Sequence, residues 1–287
     1  MKVWLNGALV EKEQAKLTVL DHGTLYGDGV FEGIRVYNGK VFQCQAHVDR
    51  LFNSARYIRL AVPYTKQEIT QAIHDTIAAN AVTDGYIRLV VTRGEGTLGL
   101  SPNRCPTPGV FIIADQIALY PEEMYRDGMA VIIAKTVRTS PRMLSPAVKS
   151  LNYLNNIMAN LEATDAGVAE AVMLNEHGNI SECTGDNIFI VVGGKLITPP
   201  VGAGILEGIT RTVVMRLAGK LAIPVAERDI IPDQLYQADE CFLTGTAAEV
   251  IAVTKVDGRT IGSGRPGPVT SRLLAAFRQY IASGENL

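Results

Sequence analysis

The sequence Pro141-Arg-Met-Leu-Ser-Pro-Ala-Val-Lys149-Ser-Leu-Asn-Tyr153-Leu-Asn-Asn156 joins a proline-broken loop to a predicted helix. Leucine and methionine recur at positions 151, 154, 158 and 161, which lie on one helical face and predict a helix that runs to about Gly167. Lys149 stands at the start of this helix with no carboxylate within several residues. The positive end of the helix dipole disfavours the ammonium form, so Lys149 is a candidate nucleophile. The alternative is a surface lysine that extends to water.

The composition limits the classes of protein to which the chain can belong. A net charge of −2 argues against nucleic acid or an anionic membrane as the main partner. The four cysteines and four histidines are scattered, which favours a reducing compartment and argues against a metal site. The sequence shows no run of about 20 apolar residues and no signal-peptide pattern. We therefore expect a soluble, cytoplasmic protein without a metal ion or a membrane partner.

The order of predicted elements indicates two α/β domains, as expected for 287 residues at about 150 residues a domain. Strands and hairpins are predicted in the first 45 residues, and helices at about 46–60 and 65–80. Apolar content falls over residues 119–128, which predicts a linker between an N-terminal domain (1–118) and a larger C-terminal domain (129–287) that carries Lys149. The elements lack the regular alternation of a doubly wound sheet, so we predict mixed sheets with much antiparallel pairing.

Two threonine-bearing turns are candidates for a phosphate site. Gly208-Ile-Thr-Arg211 predicts the start of a helix with a hydroxyl at the cap, and Gly245-Thr-Ala-Ala-Glu249 has the T-x-x-E pattern of a capping box. Each turn is an ordinary helix start when it is taken alone. Together, their backbone N–H groups suit a phosphate, and a phosphorylated cofactor beside a lysine suggests pyridoxal phosphate.

Charged residues in or beside strands are further candidates. Glu182, in Ile180-Ser-Glu182, is placed either to keep a pyridine nitrogen protonated or as a surface carboxylate in a turn. Arg88 lies inside a predicted strand, where a buried guanidinium needs an anion or carbonyl groups. Arg50, on the predicted helix 46–60, could be an ordinary solvated residue. The glycine-rich segment 26–35 is no dinucleotide fingerprint, since no long helix follows it.

In their order along the chain, these motifs resemble the fold-type IV pyridoxal-phosphate enzymes, most closely the branched-chain amino-acid aminotransferases. The resemblance rests on the segments Tyr26–Arg35, His47–Leu51, Tyr86–Arg88, Lys149–Tyr153, Ile180–Glu182, Gly208–Arg211 and Gly245–Glu249. It implies a two-domain fold with mixed α/β sheets, like that of D-amino-acid aminotransferase, and pyridoxal 5'-phosphate as the cofactor.

The resemblance also implies which residues bind the cofactor. Lys149 would form a Schiff base with it and shuttle the Cα proton. Glu182 would pair with the ring nitrogen and Tyr153 with the phenolic oxygen of the ring. Leu206 would pack on the ring face, and the phosphate would be held by Arg50, the backbone of Ile209, Thr210 and Thr246.

Substrate binding is implied in the same way. Tyr86 and the backbone of Thr246 and Ala247 would receive the substrate carboxylate, supported by a network of Tyr26 and Arg88. Phe31 and Tyr153 would line an apolar pocket, and Arg35 is a candidate for a distal carboxylate. Tyr26 and Leu100 would come from a neighbouring subunit, so the enzyme would be at least a homodimer.

The implied reaction is a ping-pong transfer of the amino group between leucine, isoleucine or valine and 2-oxoglutarate. The fold also houses D-amino-acid aminotransferases and aminodeoxychorismate lyases, which are alternatives here, as is a non-catalytic cofactor-binding homologue. Arg88 and the Thr-Ala-Ala turn argue against the D-specific enzyme, and Phe31 with Leu100 argue against the lyase. Retention of both Lys149 and Glu182 favours an enzyme.

Overall fold

The computed structural model describes residues 1–117 and 120–284, which form two compact units. The first unit contains the chain up to residue 117 and the segment Val148–Asn152, and the second contains residues 120–147 and Tyr153–Ser283. The predicted domain boundary at residues 118 and 119 lies outside the described residues, as do residues 285–287. A helix, Glu122–Asp127, occupies most of the segment that was predicted as a linker.

An antiparallel sheet with two helices forms most of the first unit. Among the residues described there, the strand order is β2-β1-β6-β5-β3-β4. The strands are β1 (Lys2–Leu5), β2 (Ala8–Glu11), β3 (Gly29–Tyr37), β4 (Lys40–Val41), β5 (Gly85–Thr92) and β6 (Gly109–Asp115), and the helices are α1 (His22–Tyr26), α2 (Cys44–Tyr57) and α3 (Lys66–Ala79).

The helical periodicity read from the sequence places the core of this unit. Val48 and Leu51 of α2 and Ile69 and Ile73 of α3 are buried and share one apolar cluster with sheet residues such as Ile34. Helix α3 begins with a complete capping box, because the Thr65 side chain accepts from Glu68 N and the Glu68 carboxylate accepts from Thr65 N. The predicted helices are therefore confirmed, with α2 beginning two residues earlier than expected.

The segment that carries Lys149 extends the sheet of the first unit. Phe31 N donates to Lys149 O at 2.9 Å, and Leu151 N donates to Gly29 O at 2.9 Å. Val30 and Ser150 form an antiparallel bridge between these two bonds. This backbone pairing is the physical reason why Lys149 groups with the N-terminal unit, whereas the sequence placed it in the C-terminal domain.

The second unit is built on a larger mixed sheet with the order β12-β11-β10-β13-β14-β7-β8-β9, with β15 paired to β14. Its strands are β7 (Met129–Ile133), β8 (Glu170–Leu174), β9 (Ile180–Cys183), β10 (Asn187–Val192), β11 (Lys195–Thr198), β12 (Val225–Glu227), β13 (Glu240–Gly245), β14 (Glu249–Val256) and β15 (Arg259–Thr260). Its helices are α4 (Glu122–Asp127), α5 (Leu154–Asp165), α6 (Ile209–Lys220), α7 (Pro232–Tyr236) and α8 (Pro268–Ser283). Strand β7 runs parallel to β8 and β14, and β11 runs parallel to β12.

Three sequence-based expectations about this unit are wrong. Thr246 caps no helix, because Thr246–Ala248 form the turn of the β13–β14 hairpin, closed by the pair Gly245 and Glu249. In α6 the N-cap is Gly208, so the Thr210 hydroxyl lies within the first turn instead of at the cap. The helix after Lys149 begins at Leu154, because residues 149–151 pair with β3.

Candidate active site

The backbone of Lys149 is held on both sides, and the residue is half-buried. Its N–H donates to Ser54 Oγ at 3.2 Å, and its carbonyl accepts from Phe31 N. Its Nζ lies 4.7 Å from the centroid of the Phe31 ring, which fixes the amine beside an aromatic face. The predicted pair of Lys149 and Phe31 thus lies together in the first unit.

A buried carboxylate, Glu32, binds two basic side chains of α2. Arg50 donates to it twice, from Nε to Oε1 at 2.8 Å and from Nη2 to Oε2 at 2.7 Å, and His47 Nδ1 lies 2.8 Å from Oε2. The attraction of Arg50 and the hydrogen bonds from Arg50 and His47 outweigh the effect of burial, which by itself raises a carboxyl pKa, and lower the pKa of Glu32 to about 2. Burial lowers the pKa of His47, so we assign it the neutral form that donates from Nδ1.

Arg50 is thus no ordinary solvated residue, because its guanidinium is oriented by Glu32. The bidentate bond engages the edge formed by Nε and Nη2. Only 13% of the Arg50 side chain is exposed, and the Glu32 side chain is fully buried. The spacing of His47 and Arg50, one helical turn apart, is what directs both side chains to the same carboxylate.

Four of the predicted substrate residues lie on neighbouring positions of β3 and β5. Gly33 pairs with Arg88 and Arg35 pairs with Tyr86, so alternate residues of the two strands share one face of the sheet. The Arg88 guanidinium lies 4.6 Å from the Phe31 ring centroid and 5.4 Å from that of Tyr86. Gly33 is required at this point, because a Cβ there would overlap the Tyr86 hydroxyl.

Arg35 is buried on the same face and keeps one unused donor. Its Nη1 donates to the Gly85 carbonyl at 3.3 Å, and its guanidinium lies 4.5 Å from the Tyr37 ring centroid. Its Nε is buried and has no hydrogen-bond partner within residues 1–117 and 120–284. A buried N–H of a cation without an acceptor fits the predicted role in binding an anion.

Tyr26 and Leu100 are brought near each other by the loop that follows β5. The Tyr26 hydroxyl accepts a hydrogen bond from Gly99 N at 3.0 Å. Leu100 is next along the chain, and its side chain is 81% exposed. Their predicted roles in the site of a neighbouring subunit stay predictions.

In the second unit, Glu182 is a buried carboxylate with a full set of donors. Its Oε1 accepts from Arg138 Nε at 3.0 Å, and its Oε2 accepts from Leu206 N at 2.9 Å and from Asn187 Nδ2 at 3.2 Å. Only 5% of Glu182 is exposed, which contradicts the alternative of a surface carboxylate in a turn. The predicted neighbours Glu182 and Leu206 therefore lie together.

Arg138 ties this carboxylate to the start of α5. Its Nη1 donates to Asn156 Oδ1 at 3.2 Å and to Asn155 Oδ1 at 3.3 Å. Tyr153, the residue before the helix, is half-buried at its N-terminus. Sequence reasoning did not assign a role to Arg138, Asn187, Glu32 or His47. For Glu32 the available signal was a charged residue within an apolar strand, and for Arg138 a charged residue just before a proline-containing loop.

The first turn of α6 and the β13–β14 turn supply the predicted phosphate ligands. Gly208, which precedes α6, lies close to Asn187. A Cβ on residue 208 would overlap the side-chain amide oxygen of Asn187. The N-cap Gly208 has no side chain to bond the first N–H groups of α6, and helix N-termini of this kind suit an anion. Thr210 is buried, and Thr246 and Ala247 are half-buried in their turn.

The described residues offer neither a metal-binding cluster nor a membrane-spanning helix. No cluster of three or more His, Cys, Asp or Glu side chains within residues 1–117 and 120–284 is arranged to hold a metal ion. In the same part of the chain, no helix combines the length and apolar character needed to cross a membrane.

Comparison with known proteins gives a consistent family. The family model of amino-transferase class IV matches residues 29–256. The chain is 48% identical over 278 residues to a putative branched-chain-amino-acid aminotransferase of Methanocaldococcus jannaschii, covering 97% of this chain and 96% of that protein.

Solved structures agree with the sequence comparison. The T.th. branched-chain amino acid aminotransferase with pyridoxamine 5'-phosphate superposes with a TM-score of 0.95 at 37% identity, covering 98% of this chain and 94% of the other. The branched-chain aminotransferase of Thermoproteus uzoniensis with norvaline gives 0.93 at 41% identity, covering 99% and 96%. These matches confirm the mixed α/β fold and the resemblance that the ordered motifs predicted. The chain belongs to the class IV aminotransferases, and within them it is similar to the branched-chain amino-acid enzymes over nearly its whole length.

Proposed function

We propose that the protein is a pyridoxal-phosphate-dependent aminotransferase that moves the amino group between branched-chain L-amino acids and 2-oxoglutarate. The observation that carries this proposal is Lys149, whose backbone is paired with β3 and whose amine is fixed beside Phe31, in a chain of this family. The names of the relatives favour this activity over the D-amino-acid and lyase alternatives.

The donor set of each unit fits the phosphorylated cofactor. In the first unit, Glu32 holds the Arg50 guanidinium in one plane, which suits a phosphate oxygen at fixed geometry. In the second unit, the N-terminus of α6 offers Ile209 N–H and the Thr210 hydroxyl, and Thr246 adds a second hydroxyl. Each of these two sets of groups, taken in its own unit, is suited to bind a phosphate oxygen.

Glu182 fits the role of a partner for the ring nitrogen. Arg138 and the N–H groups of Leu206 and Asn187 stabilise its ionised form. An ionised carboxylate would hold a proton on the nitrogen, and Tyr153 would orient the ring by a hydrogen bond to its phenolic oxygen. When it is bound, protonated pyridoxal phosphate supplies the electron sink for loss of the Cα proton.

Lys149 would bind the cofactor covalently and move the substrate proton. With the cofactor present, the free amine of Lys149 would accept the proton from the substrate Cα and later return it, so its role is that of a general acid and base. The aromatic contact with Phe31 would limit the rotation of the lysine and keep Nζ close to its acceptor position.

The substrate would bind through Tyr86, Arg88 and apolar contacts. Arg88 and Tyr86 are linked by a hydrogen bond of 3.4 Å, and both would face the substrate carboxylate. In the second unit, the backbone of Ala247 is a further candidate donor to a carboxylate. Phe31 would contact the aliphatic side chain. The buried Arg35 N–H would bind the distal carboxylate of 2-oxoglutarate or glutamate.

We further propose that the working form is a homodimer in which Tyr26 and Leu100 of one copy complete the site of the other. Large apolar side chains support this proposal. On α5 the side chains of Leu154, Ile157, Met158 and Leu161 are each about half exposed or more, from 49% to 69%. A contiguous apolar face of this kind marks a protein interface. Cytoplasmic location is also a proposal, supported by the four free cysteines.

The cofactor proposal is tested by absorbance and covalent trapping. Purified protein with pyridoxal phosphate should show a visible band, and borohydride should fix the cofactor to Lys149. Lys149→Ala should lose both signals, while Lys195→Ala, an exposed lysine on β11, should retain them. A peptide map that places the reduced cofactor on another lysine would refute the assignment.

The substrate proposal is tested with a panel of donors. L-leucine with 2-oxoglutarate should yield glutamate, and D-alanine should yield little product. Faster turnover of D-alanine than of L-leucine would favour the D-specific alternative.

The dimer is tested by mass in solution. Light scattering should give twice the mass of the chain, and Met158→Glu should shift it toward the monomer because it places a charge in the apolar face. His74→Glu, on the exposed side of α3, serves as the control. A wild-type monomer that is fully active would contradict a shared site.

A further inference from the structure

The loop after β5 presents two large apolar side chains on a backbone that is firmly held. We define the specificity loop as residues 94–105. The side chains of Leu98 and Leu100 are 66% and 81% exposed. The Arg104 guanidinium donates to the Leu98 carbonyl, which closes the tip of the loop on itself. Exposed apolar side chains on a fixed backbone are typical of a surface that contacts a ligand or another chain.

His22 binds this loop at two points, although it lies more than 70 residues away in sequence. Its backbone N–H donates to the Gly94 carbonyl at 3.0 Å. Its ring Nε2 lies 3.0 Å from the Thr97 carbonyl oxygen, and because a carbonyl only accepts, Nε2 carries the proton. The imidazole is buried, with 1% exposure.

Gly96 allows the loop to approach the imidazole closely. A Cβ on Gly96 would lie 3.0 Å from His22 Nε2 and 2.6 Å from Cys105 Sγ. The Gly96 N–H donates to the Leu20 carbonyl at 3.2 Å, just before His22. The loop is therefore packed closely against the Nε2 edge of the ring.

His22 also contacts Tyr26 directly. The two rings meet edge to face, with centroids 5.0 Å apart at an interplanar angle of 86°. Tyr26 in turn accepts from Gly99 N, the residue between the two exposed leucines. One histidine thus sets the position of the loop and of the tyrosine to which the loop is bonded.

The bond from Gly99 also orients the Tyr26 hydroxyl. Its oxygen accepts from the loop, so its hydrogen is the group left to donate. A donor of this kind suits a carboxylate oxygen of an acidic substrate, and the adjoining leucine side chains suit an aliphatic one.

The base of this arrangement is fixed by a second buried side chain. Asp21 accepts from Gly23 N at 2.7 Å, which caps α1, and from Thr92 Oγ1 at 2.7 Å, at the end of β5. The start of α1, which carries His22, is thereby joined to the end of β5, where the specificity loop begins.

We infer that His22 is a positioning residue for substrate selectivity, which holds Tyr26 and the Leu98–Leu100 tip as one rigid surface. This inference rests on the proposed function, in which that surface contacts the amino acid or 2-oxo acid. The substrates that this surface would distinguish are the aliphatic donor and the acidic acceptor of the same reaction.

The test uses two amide side chains that differ by one methylene. In His22→Gln the amide nitrogen reaches about the position of Nε2 and can donate to the Thr97 carbonyl. In His22→Asn the same group is too short to reach it. His74→Asn, exposed on α3, controls for the loss of a histidine.

Two readouts are measured on each protein. We expect His22→Asn to speed hydrogen exchange in peptides that cover residues 94–105, and to change the ratio of kcat/KM for L-leucine to that for L-glutamate by about tenfold. His22→Gln should stay within about twofold of the wild type in both. Cofactor affinity should be the same in all four proteins.

Three results would overturn the inference. The first is that hydrogen exchange and substrate selectivity are unchanged in His22→Asn. The second is that both quantities change equally in His22→Gln and His22→Asn. The third is loss of cofactor binding in both variants, which would mean that His22 only stabilises the fold. A wild-type protein without transaminase activity would refute the proposed function instead, while the exchange measurement would still test the anchoring of the loop.

Discussion

The buried carboxylate of Glu32 leads to a quantitative prediction for stability. It accepts three hydrogen bonds from Arg50 and His47, and its side chain is fully buried. Burial would raise its pKa, but the attraction and hydrogen bonds of its two partners lower that pKa from the ordinary 4.5 to about 2. A difference of about 2.5 pKa units, at about 1.4 kcal/mol each, corresponds to about 3 to 4 kcal/mol of stabilisation at pH 7.

The perturbation is Glu32→Gln, which keeps the shape of the side chain and removes its charge. The substitution leaves the Arg50 guanidinium without its counter-charge and turns an amide N–H₂ toward a donor. We expect the free energy of unfolding to fall by about 3 kcal/mol, as is typical when one partner of a buried ion pair is removed. Urea unfolding of the cofactor-free protein at pH 7 measures this loss, with Glu13→Gln, an exposed carboxylate, as the matched control.

The dependence on pH distinguishes the charge of Glu32 from its packing. Because the folded-state pKa is depressed, the stabilisation is present above about pH 4.5 and is lost as the pH falls toward 2. The difference between the wild type and Glu32→Gln should therefore shrink by about 2 kcal/mol between pH 7 and pH 3. A loss below about 1 kcal/mol at pH 7, or a difference that is constant with pH, would refute this reasoning.

Two further substitutions test local features of the first unit. Thr65→Ala removes the capping box of α3 and should lower the free energy of unfolding by about 1 kcal/mol in urea titrations. Thr65→Ser keeps the hydroxyl and should retain most of the wild-type stability. Equal losses in the two variants would contradict a capping role. Gly33→Ala should displace the Tyr86 ring, whose hydroxyl a Cβ would overlap, and raise KM for L-leucine while the visible absorbance of the cofactor stays unchanged; an unchanged KM would argue against Tyr86 as a carboxylate ligand.

The features that the sequence predicted well depend on neighbours in the chain. Helix α3 is specified by its apolar spacing and by Thr65 and Glu68, which are three residues apart and need no other part of the fold. The partners of Glu32 and Glu182 were not predictable in this way. Arg50 and Arg138 lie 18 and 44 residues from their carboxylates, so only the folded strands bring them together.

The turn at Thr246 shows how one local pattern suits two structures. T-x-x-E is typical of a helix start, but here it joins Cys241-Phe-Leu-Thr244 to Val250-Ile-Ala-Val253, which pair along the β13–β14 hairpin. The β-branched and aromatic residues on both sides favour strands, and their pairing outweighs the capping pattern. Glu249 adopts a positive φ of 56° to close the turn, and its side chain bonds Arg278 at 3.3 Å instead of a helix N-terminus.

Helix α5 shows that the spacing of apolar residues can predict a helix without predicting which of its faces is buried within the unit. The buried positions are Asn156, Ala159 and Ala163, and the two alanines pack in a cluster with Ala171 of β8. Small side chains allow the helix to approach the sheet closely, so the larger apolar residues are left on the opposite face. The regularly spaced leucine and methionine residues from which the helix was predicted lie on that opposite face. A regular apolar spacing therefore indicates a helix face that packs against another surface. For α5 we propose that this surface belongs to a second copy of the chain.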